Sequence, residues 1–102
     1  MRVELLWWEG CPSHPEALAA LETILREEGV SAVVTRVEIE DDDQARRERF
    51  PGSPTIRIDG EDVVPAEGEP YSLTCRIYRR RDGRVSPTPD PEDVRDAVRR
   101  AA

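Results

Sequence analysis

Three side chains in this sequence have the types and placement to do chemistry, and Cys11 leads them. It stands in Glu9-Gly10-Cys11-Pro12-Ser13-His14-Pro15-Glu16, where a short apolar run, Val3 to Trp8, gives way to an apolar-periodic helix. A cysteine at such a junction lies beside unsatisfied backbone N–H groups and the positive end of a helix dipole. Both favour the thiolate, the form that attacks disulfides and binds soft metals. His14, the only histidine, can stabilise that thiolate as a nearby cation or hydrogen-bond donor; its plainer reading is an exposed side chain in the first turn. Cys75 is the second and last cysteine. It reads either as a partner for Cys11 or as a small inward-facing apolar residue.

The elements that must position these groups follow from periodicity and turn chemistry. Val3, Leu5 and Trp7 alternate with Glu4, Leu6 and Trp8, so the first strand is covered on both faces. Ser13 and Glu16 have the spacing of a capping box, and Pro15 falls in the first turn. Ala17, Leu18, Leu21, Ile24 and Leu25 form a helical stripe that Gly29 stops. Valine-rich Ala32 to Ile39 reads as a second strand, and right-handed crossover makes a parallel βαβ unit. Asp41 to Arg49 is short and weakly helical, with Asp41-Asp42-Asp43 favoured at a helix N-terminus rather than as a cation site. Thr55 to Ile58, the turn Asp59-Gly60 and Asp62 to Val64 make a hairpin. Pro65 to Pro70 is a loop, and Leu73 to Arg79 is extended, with Leu73, Cys75 and Ile77 alternating against threonine and arginine. Asp82-Gly83 marks a turn, and Asp90 caps a last helix carrying Val94, Ala97, Val98 and Ala101 on one stripe. The order implies one α/β domain over residues 1–102, with a mixed sheet flanked by helices.

Composition narrows the function. The chain of 102 residues is 37% hydrophobic and 36% charged, as suits a small globular domain rather than a disordered one. A net charge of −7 argues against nucleic acid or an anionic membrane surface as partner. Arg76, Arg79, Arg80, Arg81 and Arg84 form the one basic cluster, read as a solvated strand-and-turn edge. No run is long enough for a secretory h-region or a membrane span, so a cytoplasmic protein with reduced cysteines is expected. Cys11, His14 and Cys75 are too few for a four-ligand zinc site, and no nucleotide or hydrolase motif occurs; no metal or cofactor is expected.

Two local features then carry a resemblance. Cys11-Pro12-Ser13-His14 follows the first strand, and Gly52-Ser53-Pro54-Thr55 opens the third. With the element order, they resemble the thioredoxin and glutaredoxin fold, in which C-x-x-C follows the first strand and a cis-proline faces the active cysteine. The stretches EGCPSHPEA, GSPTIRIDGED and LTCRIYR are similar to small bacterial thioredoxin-like proteins of unassigned function, some labelled alkylmercury-lyase-like. The resemblance implies a four-stranded sheet in the order 2-1-3-4 and a cis Ser53–Pro54 bond. It implies thiol–disulfide exchange at Cys11 with a thiol- or disulfide-bearing protein or a low-molecular-weight thiol. Pro12, Ser13, Ser53, Pro54 and Thr55 would then line the substrate site, with Ser53 offering its backbone to an extended peptide.

His14 replaces the family's second cysteine, so a two-cysteine cycle cannot run within the motif. Three arrangements remain open: a monothiol site tuned by His14, a dithiol site completed by Cys75, and a binding surface without turnover. A soft metal or organomercurial held by two thiolates is a further alternative. Topology decides the reach of Cys75. If the hairpin partner is Asp62 to Val64, the chain emerges on the Cys11 side; if Leu73 to Arg79 pairs in the sheet, Cys75 lies far away.

Overall fold

The structure, a computed structural model, describes every residue except Glu67 and Glu69, so part of the expected Pro65–Pro70 loop lies outside the described residues. Nine elements follow in order: β1 (Val3–Trp7), α1 (His14–Glu27), β2 (Val34–Glu38), α2 (Asp42–Arg47), β3 (Thr55–Ile58), β4 (Glu61–Asp62), β5 (Tyr78–Arg79), β6 (Val85–Ser86) and α3 (Pro91–Ala101). The main sheet has the expected order, β2-β1-β3-β4. β1 runs parallel to β2, with Val3 opposite Val34, and antiparallel to β3, with Leu5 opposite Ile56. β3 turns back into β4 through Asp59 and Gly60, both at positive φ, as the Asp-Gly signal required.

The alternation in β1 feeds two cores. Val3 and Leu5 join Ile56 and Ile58 of β3, Leu21, Ile24 and Leu25 of α1, and Val94 and Val98 of α3. Leu6 turns to the other face and packs with Ile39, Ala45 and Phe50, against which Trp8, Val37 and Leu73 lean. Helices α1 and α3 thus share one face, and the short α2 covers part of the other. Leu21 is fully buried in the larger core. Leu21→Ala is expected to lower the unfolding free energy by about 2–5 kcal/mol, read from urea denaturation.

Two expectations are corrected here. Ser13 precedes α1, but it lies in the right-handed helical region with no side-chain cap bond, so the capping box is not formed. The segment expected to be extended over Leu73 to Arg79 is not a fifth strand of the sheet. Only Tyr78 and Arg79 are strand, paired with Val85 and Ser86 across the Asp82-Gly83 turn. Before them, residues 72–76 form a strap that crosses the end of the sheet and touches it through one parallel bridge, Ser53 to Cys75.

Candidate functional site

Ser53 is the hub around which the site is assembled. It precedes β3 and is fully buried, and the Ser53–Pro54 peptide is cis. Its hydroxyl oxygen accepts the Trp8 N–H at 3.1 Å, tying the end of β1 to the start of β3. Its N–H donates to the Thr74 carbonyl at 2.8 Å, and its carbonyl accepts the Arg76 N–H at 2.9 Å. The second lone pair of that carbonyl takes the Cys11 thiol, with sulfur to oxygen 3.2 Å. The backbone that the sequence suggested for an external peptide is therefore occupied by the chain's own strap.

Cys11 is 1% exposed, and its N–H is bonded to the Trp8 carbonyl at 3.0 Å. Trp8 folds its indole over Gly10, where any added Cβ would collide with the ring. Cys75, by contrast, is exposed, and both cysteines are free thiols. Both are anchored at Ser53, Cys11 through its thiol and Cys75 through the backbone bridge. Hydrogen bonding with Cys11 is the leading cause that pushes the Cys75 thiol above the ordinary cysteine value, ahead of burial and of repulsion from a charge on Cys11. Of the two topological routes, the chain takes the one that returns through β4 and brings Cys75 opposite Ser53, whose carbonyl holds the Cys11 thiol.

The remaining expected residues are placed as follows. Pro12 is exposed and Ser13 half-buried on the turn into α1, Pro54 is buried, and Thr55 is buried with its hydroxyl donating to the Gly52 carbonyl at 2.7 Å. His14 is half-buried and stacks on Trp7, ring centroids 4.3 Å apart, and it makes no side-chain hydrogen bond among the described residues. No group of three His, Cys, Asp or Glu side chains suited to a metal ion occurs among the described residues.

The residue that composition misplaced is Arg76. It belongs to no solvated cluster: it is 7% exposed, and its guanidinium donates to the Thr55 hydroxyl at 3.2 Å, to Asp62 at 2.7 Å and to the Val64 carbonyl. It also lies 4.5 Å over the Tyr78 ring, and the buried Tyr78 hydroxyl donates to the Pro54 carbonyl. Burial pushes the Tyr78 phenol well above its ordinary value and pushes the Asp62 carboxyl up, with the Arg76 charge opposing the latter shift. Leu73 leans inward as expected, but from Cys75 onward the in–out pattern is the reverse of the one expected. Arg76 and Tyr78 point in, while Cys75 is exposed and Ile77 is 73% exposed. The signal was Asp62 beside apolar Val63 and Val64, an acid within a buried hairpin that needs a cation.

Chemically, this is a pair of free thiols, one sheltered and one open to solvent, anchored on the same residue at the entrance to β3. Comparison of the chain with known protein families, curated proteins and solved structures gave no match. No helix is long and apolar enough to cross a membrane among the described residues.

Proposed function

We propose that this protein is a thioredoxin-like thiol redox protein in which Cys11 and Cys75 are a dithiol that cycles to a disulfide. The observation that carries the reading is that both cysteines are anchored on Ser53, Cys11 by its thiol on the Ser53 carbonyl and Cys75 as the bridge partner of Ser53. Two cysteines separated by 63 intervening residues meet only because Ser53 holds both the loop of one and the strap of the other. Preformed proximity of this kind lowers the entropic cost of closing a disulfide. The β-α-β order, the antiparallel third strand and the Ser53–Pro54 turn opposite Cys11 support the same reading. The partner is a thiol- or disulfide-bearing protein or a low-molecular-weight thiol, in a cytoplasm where the resting state is reduced.

The test is equilibration with mixtures of reduced and oxidised glutathione, followed by acid trapping and mass spectrometry. Wild type is expected to lose two hydrogens and form a Cys11–Cys75 bond, which Cys11→Ser and Cys75→Ser both lack. Two free thiols across the whole range of glutathione poise would reject redox cycling and leave a non-catalytic binding module.

A further inference from the structure

The strap also fixes the order in which the two sulfurs react. We propose that Cys75 is the sulfur that external thiols and disulfides meet, and that Cys11 is the sheltered partner that resolves the resulting mixed disulfide. The assignment rests on the dithiol reading and reverses the order suggested by the position of Cys11 before a helix.

Three backbone–backbone bonds, the Asp42 carboxylate and the Arg76 side chain hold the strap against the Ser53 bend. Ser72 N–H donates to the Phe50 carbonyl at 3.2 Å, and Leu73 N–H to the Asp42 carboxylate at 3.0 Å. Ser53 takes Thr74 and Arg76 as described, and the Arg76 side chain is bolted to Asp62. Gly52 adds a steric lock, since a Cβ there would sit 3.0 Å from the Arg76 backbone nitrogen. Cys11, bonded to the carbonyl that this set engages, is 1% exposed and closed to an approaching molecule. Cys75 needs no such opening. In a parallel bridge, Ser53 bonds the residues on either side of Cys75, so the N–H and C=O of Cys75 itself face away from Ser53. A surface groove of about 380 Å³ lies there, lined by Pro51, Ser72, Thr74, Cys75, Arg76 and Ile77. Exposed Ile77 gives that groove an apolar wall for an extended thiol-bearing chain.

The exchange is balanced as follows. In the oxidised protein, an external thiolate attacks the Cys75 sulfur. A new sulfur–sulfur bond forms there, the Cys11–Cys75 bond breaks, and Cys11 departs with the electron pair and is protonated. A second external thiolate attacks the external sulfur of the mixed disulfide, releasing the oxidised small disulfide and the Cys75 thiolate. In reverse, the Cys75 thiolate attacks an external disulfide, whose bond breaks to release one external thiolate, and deprotonated Cys11 then attacks Cys75 and expels the second. The raised Cys75 pKa slows the steps in which Cys75 is the attacker or the leaving thiolate, whereas attack upon Cys75 in the disulfide, with Cys11 departing, does not need the Cys75 thiolate.

Oxidised glutathione is the probe. Reduced Cys11→Ser is expected to accumulate one stable glutathione adduct, on Cys75. Reduced Cys75→Ser is expected to react at least ~10-fold more slowly, because access limits the rate. Equal or faster modification of Cys75→Ser would overturn the assignment. As a check free of substitutions, reduced wild type is alkylated with iodoacetamide under native conditions and mapped by peptide. Cys75 is expected to be labelled first and Cys11 only on unfolding, and the opposite order also overturns the proposal. Neither experiment requires the intramolecular bond to form. A wild type that fails to close its disulfide therefore rejects the dithiol cycle, while the single variants still report which sulfur is met first.

Discussion

Arg76→Ala is expected to cost about 3–5 kcal/mol of folding free energy at neutral pH, the range found when one partner of a buried ion pair is removed. The guanidinium neutralises Asp62, whose side chain is 17% exposed, and it satisfies the Thr55 hydroxyl and the Val64 carbonyl. Truncation removes the cation from Asp62, leaves it only the Val64 N–H and Thr55 only its bond to Gly52, and uncovers the Tyr78 ring. The loss has a pH signature. Burial holds the folded Asp62 carboxyl above its unfolded value, and the Arg76 charge is the largest influence pulling it back. Without Arg76 the folded value rises further. A carboxyl raised on folding favours the native state at low pH, and that contribution is lost as pH rises through the folded value. The deficit of Arg76→Ala against wild type is therefore expected to grow from acid to neutral pH in urea titrations. A deficit that is flat or shrinks toward neutrality would mean that Asp62 stays ionised for another reason. The same substitution loosens the strap next to Cys75. The equilibrium constant for closing the Cys11–Cys75 bond against glutathione is expected to fall about tenfold, equivalent to about 1.4 kcal/mol.

Arg76 also marks where the sequence stopped being readable. Strands β1 and β3 and helices α1 and α3 were legible because burial imposes a period on each, and because Gly29, Asp59-Gly60 and Asp90 punctuate them. Asp41 caps α2 through the Gln44 N–H, as an acid at a helix start should. The strap obeys no such rule. Its apolar and polar residues alternate, but an arginine with a buried carboxylate waiting for it outcompetes isoleucine for the inward position, and periodicity alone cannot register a partner 14 residues upstream. Ser13 and Glu16 had the right spacing for a capping box, yet the turn through Pro12 leaves Ser13 helical and its hydroxyl off the helix amides. The site was half legible. The Cys11 turn and the Ser53-Pro54-Thr55 entrance could be singled out from local residue types. The placing of Cys75 opposite Ser53, on the Cys11 side, depended on which way the chain leaves β4, a tertiary choice. His14 was drawn to the flat face of Trp7 rather than to either sulfur, because β1 presents that ring beside the first turn of α1.

Gly52→Val is expected to release the strap while leaving the central sheet paired, and so to separate shelter from stability. Gly52 has φ of +139°, a conformation open to glycine and strained for a β-branched residue, which costs about 1–3 kcal/mol before any contact is considered. The added Cβ would also lie 3.0 Å from both the Cβ and the N of Arg76. Those atoms belong to the strap's bridge to Ser53, so the clash is relieved by moving residues 74–76 outward. The cost falls on the Ser53–Thr74 and Ser53–Arg76 bonds and on the Arg76 guanidinium's bond to the Thr55 hydroxyl, while the backbone pairing of β1 with β2 and β3 does not pass through the strap. Native alkylation of Cys11 is expected to rise at least ~10-fold, as an uncovered thiol regains the reactivity that access had limited. Cys75 labelling should change little, because its sulfur was open already. The unfolding midpoint in urea supplies the control. A variant that is less stable yet keeps Cys11 protected would show that the sulfur is sheltered by the Trp8–Gly10 contact and not by the strap, and the order of reaction assigned to the two thiols would lose its physical basis.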